Sequence, residues 1–204
     1  MLELTTPVLQ EFARRSPDAS VDMREFTFTD PSAGLASGET DLALLRLPVS
    51  EPATEWEVLF TEPRVVCVSA SHPLADRARV FVRDIEHEPM TISRIDDPSY
   101  RDFWTLAAHR SAPPPELVET TSHLEELEIV ATGRACSVTA ACAARFTPRT
   151  GVRFVPLADA PRVETALAWR RGELTAVAAR FVEAARAVRD GRPDLIGRIE
   201  NPDL

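Results

Sequence analysis

Leu35-Ala36-Ser37-Gly38-Glu39-Thr40-Asp41-Leu42-Ala43-Leu44-Leu45-Arg46 is the stretch whose reading decides the fold. Just upstream, Asp30 followed by Pro31 reads as a helix start: a side-chain acceptor, then the residue that suits a first helical turn. Gly38 is able to take a positive φ and end that helix. Asp41 leads into an apolar run over residues 42–45, bounded by Arg46 and Pro48. A run apolar on both faces reads as a buried parallel strand. Helix, glycine, short turn, acid and buried strand make one αβ unit of an open sheet, so an α/β fold is expected.

Upstream, residues 7–15 carry Val8, Leu9, Phe12 and Ala13 at helical spacing, with Thr5 and Thr6 as cap candidates before Pro7. Val21, Met23 and residues 26–28 read as a strand. Downstream, strands are expected over 56–60, 65–68, 88–93, 117–120, 136–139, 152–157 and 163–170. Helical segments are expected over 82–86, 100–109, 122–132 and 175–188. Ser122 followed by Glu125 has the spacing of a capping box, and Gly133 stops the helix that follows. This second helix–glycine–strand unit echoes the first. The adjacent acids Asp96 and Asp97 read as a solvated or capping pair, since metal-ligand partners at suitable spacing are missing. His72 precedes Pro73 and reads as a turn residue.

Several of these stretches together resemble the effector-binding domain of LysR-type transcriptional regulators. They are Leu35-x-x-Gly38-x-x-Asp41 with its buried strand and the string from Arg64 to His72-Pro73-Leu74-Ala75. Glu88-Pro89-Met90, the stretch from Ile129 through Gly133 to Thr139, and Leu167-Ala-Trp-Arg-Arg171 complete the set. The glycine stretch matches in part only, with Ala135 where the family usually has a second glycine. The resemblance covers residues 4–188. It implies a type 2 periplasmic-binding-protein-like α/β fold of two αβ lobes joined by two crossover segments. Lobe I would hold residues 1–66 plus 164–190, with its first strand missing; lobe II would hold 67–163; residues 191–204 would be a tail with little that looks foldable. The family's N-terminal winged helix-turn-helix is absent from this sequence, so DNA is expected as a partner only through such a domain.

Composition narrows the function classes. The 204 residues are 44% apolar, enough for one large domain or two small ones, and the net charge is −9. Such a surface repels nucleic acid. No early apolar run looks like a signal or a membrane span, so cytoplasmic residence without membrane contact is the expectation. The three cysteines, Cys67, Cys136 and Cys142, form no C-x-x-C pair and read as small buried thiols. No Gly-x-Ser-x-Gly, Walker loop or His-Glu-x-x-His is present, and the four histidines lie in dissimilar contexts. No catalytic residue, metal or cofactor is assigned. A free-standing solute-binding protein is the first alternative and a small-molecule enzyme the second.

What the resemblance implies for function is a small, anionic or aromatic effector bound between the lobes, outside the carboxyl ends of strands. Helix starts gathered there favour a small anion. The effector-binding candidates are Thr5, Thr6, Phe28, Thr29, Arg46, Ser69, Arg94, Ser99, Thr121 and Ser122. Phe28 falls where several similar regulators have a hydroxyl on the effector, which would give an apolar or aromatic wall here. Arg46, at the end of its strand, is placed to pair with an effector carboxylate or with an acid. The resemblance also implies a homodimer in which the helix over 7–15 of one copy meets that over 122–132 of the other, with Val8, Leu2 and Ile129 as spare apolar residues.

Overall fold

The computed structural model describes residues 2–27, 29–49 and 53–203. In chain order the elements are α1 (Thr5–Arg15), β1 (Ala43–Arg46), β2 (Thr54–Glu62), β3 (Arg64–Ser69), β4 (Met90–Ser93) and α2 (Pro98–Thr105). There follow β5 (Leu117–Thr120), α3 (His123–Ala131), β6 (Ser137–Ala140), α4 (Ala143–Phe146), β7 (Val152–Pro156), β8 (Val163–Arg170), α5 (Ala176–Gly191) and α6 (Pro193–Glu200). Single 3-10 turns lie at Leu2–Leu4, Val82–Ile85 and Ala107–His109. The chain divides into two compact αβ units. The first holds the residues up to Phe26 with Asp30–Thr61 and Glu164–Asn201; the second holds Glu62–Val163 with Thr27 and Thr29.

In the first unit β8 lies between β1 and β2. The alternation of a strand sorts its side chains. Leu167 and Trp169 join Val8 and Phe12 of α1 and Phe181 and Val182 of α5 in the main core. Ala168, on the other face, packs against Ala43, Leu45 and Leu35. The Phe12 and Phe181 rings pack tilted with centroids 5.2 Å apart. β1 pairs antiparallel with β8, Ala43 opposite Ala168 and Leu45 opposite Ala166, so the parallel neighbour expected for this strand is replaced by an antiparallel one.

The segment before β1 is not the expected helix but a run of turns over residues 31–38. Ala33 and Gly34 both have positive φ, which a right-handed helix cannot hold. Asp30 still acts as the acceptor its position suggested. One carboxylate oxygen takes the N–H and hydroxyl of Ser32, and the other takes the N–H of Gly34 at 2.8 Å. Arg170 pins the far side of the turns through the carbonyls of Leu35 and Thr40. The strand expected from Val21 also fails: residues 21–27 have no ladder partner, and Val21 and Met23 are 41% and 63% exposed.

Thr5 and Thr6 are not caps. They lie inside α1, which follows directly on the 3-10 turn, and Leu4 at the cap position makes no side-chain hydrogen bond. Val8 is fully buried rather than spare. The expected tail folds as α6: Leu195 and Ile199 enter the main core, and the Glu200 carboxylate accepts the N–H of Thr61 at 3.0 Å. Its apolar residues, Leu195, Ile196 and Ile199, recur at helical spacing, and Pro193 sits in its first turn.

In the second unit β3 is the central strand of an antiparallel trio, β6-β3-β7. All six of its residues are buried. Val65 and Cys67 face Leu127 and Val130 of α3, while Val66 and Val68 face Val80, Val82 and Ile85. β3 is continuous across residues 66 and 67, so the boundary expected there would cut a strand; the contact boundary falls between Thr61 and Glu62. β4 and β5 form a parallel pair. A parallel bridge from Met90 to Cys136 attaches β4 to the residue that leads into β6. His72 is a turn residue: its Nδ1 accepts the N–H of Leu74. The three cysteines are buried thiols, and burial pushes Cys136 up to about 12.

Two stability measurements follow from this packing. Ile199 is 0% exposed, so Ile199→Ala should lower the free energy of urea unfolding by about 2–5 kcal/mol. An unaltered midpoint would mean that α6 does not contribute to the cooperative core. For Asp30, burial opposes ionisation but the hydrogen bonds from Ser32, Gly34 and Ala33 win and hold its carboxyl below the ordinary value. A depressed folded value stabilises above the unfolded pKa of about 3.9 and loses that stabilisation as pH falls through the folded value. Asp30→Ala should therefore be destabilised by about 1–3 kcal/mol at neutral pH, with the gap to wild type narrowing in acid.

Candidate functional site at the carboxyl edge of the parallel strands

Ser93 and Thr120 end the parallel strands β4 and β5 side by side, and the N–H of Arg94 bonds the Thr120 carbonyl at 2.8 Å. The chain turns from each strand into a helix, α2 after β4 and α3 after β5. This is the strand-to-helix edge at which open α/β sheets take ligands. The bridge to Cys136 runs parallel, so the end of β6 at Ala140 lies on the same edge. β3 is antiparallel to β6 with Arg64 opposite Ala140, which puts the start of β3 on this edge and its end, Ser69, on the other.

Both helix starts are already filled by the chain's own groups. In α2, Pro98 has no N–H, and the Asp97 carboxylate takes the N–H groups of Ser99 and Tyr100. In α3, the Ser122 hydroxyl accepts the N–H of Glu125 at 3.2 Å. The Glu125 carboxylate reaches back to the N–H and hydroxyl of Thr121 at 2.7 and 2.8 Å, and these bonds hold its pKa below the ordinary value. Arg94 and Arg101 both lean on Glu119, at 3.4 and 3.2 Å. These pairs are largely exposed and contribute little to stability. They do leave Arg94 and Arg101 facing an acid.

The structure brings Arg94, Ser99, Thr121 and Ser122 to this one edge. Ser69 does not join them: its hydroxyl lies on the Ala131 carbonyl at the far end of α3, about 13 Å of helix away from Ser122. Thr29 is exposed and shares a 2.8 Å hydrogen bond with Thr27. Thr5, Thr6 and Arg46 belong to the first unit, Thr5 and Thr6 in α1 and Arg46 half-buried at the end of β1. Phe28 lies outside the described residues.

Two groups escaped the sequence reading. The first is Glu126, buried on α3, which ties three elements together. One oxygen accepts from Thr91 of β4 at 3.1 Å and from Ser137 of β6, and the other meets His123 Nδ1 at 2.7 Å. The opposite ring nitrogen of His123 meets the Thr147 hydroxyl at 2.8 Å, and that hydroxyl also donates to the Ala143 carbonyl. The spacing of His123 and Glu126 on one helix face was the available signal.

The second is Arg64. Its side chain is 0% exposed, and Nη1 donates to the Phe103 carbonyl at 2.8 Å. Its guanidinium carbon lies 3.8 Å from the centre of the Phe103 ring and 5.4 Å from that of Trp104. Burial pulls its pKa down to about 10. A charged residue opening an otherwise apolar strand was the only mark it left in the sequence. Among the described residues no group of three or more His, Cys, Asp or Glu side chains converges to hold a metal ion.

Comparison with known proteins agrees with this architecture. The chain is 27% identical over 182 residues to the Hca operon transcriptional activator HcaR of Escherichia coli (strain K12), covering 85% of this chain and 59% of that protein. It is 23% identical over 133 residues to the HTH-type transcriptional regulator AlsR of Bacillus subtilis (strain 168), covering 64% of this chain and 44% of that protein. It thus spans about half the length of the curated relatives it matches. Among solved structures, the BenM effector binding domain with its effector benzoate superposes with a TM-score of 0.71 at 21% identity, over 93% of this chain and 87% of that one. The reduced OxyR regulatory domain from Pseudomonas aeruginosa gives 0.68 at 22% identity, over 92% and 88%. Those likenesses carry the fold, the type 2 periplasmic-binding-protein-like one. The LysR substrate binding domain model matches residues 1–190, and the chain belongs to that family.

Proposed function

We propose that this chain is the effector-sensing part of a LysR-type transcriptional regulator and that it binds a small molecule without turning it over. The family match over residues 1–190 carries the reading. The edge formed by β4, β5 and β6 supports it, with Arg94, Ser99, Thr121 and Ser122 as the polar groups nearest the ligand. Arg46, Thr29, Thr5 and Thr6 are further candidates, whereas Ser69 sits on the opposite edge. In this reading DNA is contacted by a winged helix-turn-helix of a longer protein, as in the relatives described as HTH-type regulators. The domain works in the cytoplasm; among the described residues no helix is long and apolar enough to cross a membrane. Two copies pair through α1 and α3, where Leu124, 66% exposed, and the half-buried Leu9 and Ile129 supply the apolar surface.

A thermal-shift screen of small carboxylates, amines and neutral metabolites tests the reading. At a hundredfold excess over its dissociation constant a ligand of the folded state adds about 2.7 kcal/mol. The compound that stabilises should be recovered unchanged after prolonged incubation. The isolated chain, with its charge of −9, should leave a promoter duplex unshifted at physiological salt. Turnover of the stabilising compound, or silence across the whole screen, would remove the sensor reading.

A further inference from the structure

We infer that Arg64 is the anchor for a singly charged carboxylate ligand, held against the Phe103 and Trp104 rings at the carboxyl edge of β6. The inference rests on the sensor reading above and names its ligand class. It starts from a buried charge. Arg64 is fully covered, yet its Nε and Nη2 have no hydrogen-bond partner, and neither does the buried Nε1 of Trp104. Nη1 alone is engaged, on the Phe103 carbonyl. A buried guanidinium is normally paired, because an uncompensated charge in the interior costs several kcal/mol.

The geometry selects the anion. Nε and Nη2 share one edge of the guanidinium and present two parallel N–H groups. That fork matches the two oxygens of a planar carboxylate. Cation and ligand would be one to one, since no other cation is paired with these rings among the described residues, so a monoanion fits better than a phosphate dianion. The walls are apolar: Ala140, Cys142 and Val163 pack with Phe103 and Trp104, and the two rings meet edge-on at 5.2 Å. A carboxylate bearing an aryl or short alkyl group suits them.

The neighbouring groups that might have held an anion are committed elsewhere. Asp97 and Glu125 fill the helix starts, and Arg94 and Arg101 face Glu119. Glu62, two residues before Arg64, gives its carboxylate to the N–H of Cys142. Phe103 and Trp104 are only half-buried, so entry requires these two rings to move aside rather than the sheet to open.

The test uses the whole chain and isosteric probes. Benzoate and acetate are compared with benzamide and chloride at equal ionic strength, by thermal shift and by calorimetric titration. Benzoate should stabilise the wild type and benzamide should not. Arg64→Leu should weaken benzoate about ten- to a hundredfold. Arg64→Lys, which keeps the charge and loses the fork, should recover only part of that affinity. Arg64→Leu should melt no lower than wild type in carboxylate-free buffer, since an apolar side chain replaces an unpaired charge. A lower melt there would overturn the claim that the charge lacks an internal partner. Equal response of wild type and Arg64→Leu to benzoate would overturn the assignment, as would no benzoate or acetate effect beyond that of chloride. If an amine or neutral compound then stabilised both proteins, the sensor reading would stand and the Arg64 assignment alone would fall; silence to every compound would sink both.

Discussion

Complete burial of β3 is the constraint on which the second unit depends. A strand paired on both sides and covered on both faces has to be apolar throughout, and Val65 to Val68 satisfies that. Its two faces then recruit different partners. Val65 and Cys67 draw α3 onto one side, and Val66 and Val68 draw the 3-10 turn at Val82–Ile85 onto the other. The central position of β3 also sets which edge is which. Because β6 runs antiparallel to β3 and lies parallel to β4 through the Cys136 bridge, the start of β3 meets the ends of the parallel strands. Arg64 occupies that start, so the one charge in the strand falls where the sheet opens towards its helices.

The elements that were legible in the sequence are those whose apolar pattern is strong and local. β3, β7, β8 and α5 were readable because each buries a run or stripe long enough to have one interpretation. The segment from Asp30 to Gly38 was misread for a specific reason. Acceptor, proline and glycine are shared by helix starts and by turns, and nothing in the pattern announced that Ala33 would take a positive φ. α6 was missed because the glycine, arginine and asparagine around it outweighed three apolar residues. Those residues count only once Leu4, Leu59 and Ile199 are seen to share a core, and their contacts are distant in sequence.

At the candidate edge the sequence shows residue types, while the local hydrogen bonding decides what each side chain is engaged with. Thr121, Ser122 and Ser99 are candidate ligand hydroxyls by sequence, and the fold places them at the carboxyl edge of β4 and β5. The same short polar side chains are also the ones that cap helices, and here capping takes Thr121 and Ser122 directly. A hydroxyl engaged with its own helix is a positioned group, not a vacant one. It still fixes the shape of the edge, because the strand end and the helix start cannot move apart without breaking the cap. Ser69 is the contrasting case. It also ends a strand, but β3 runs antiparallel to β6, so its end falls on the opposite edge of the sheet.

The remaining question is why a domain would retain Arg64 in its interior. Replacing a buried ionic group with a hydrophobe of similar size is generally neutral or stabilising, so stability alone does not explain it. The contacts point to coupling instead. Phe103 stacks on the guanidinium and, through its carbonyl, holds Nη1; both contacts come from α2, whose start is pinned by Asp97 beside Arg94. An anion that completed the fork would share its guanidinium with these α2 contacts. A group that carries an unpaired charge without ligand and a paired one with it would bind more tightly to whichever conformation keeps the fork in reach. Differential stabilisation of that kind is what any ligand-driven shift between conformations requires. Within the proposal above, the unfilled fork of Arg64 is the feature of this edge that a carboxylate would complete and a neutral compound would not.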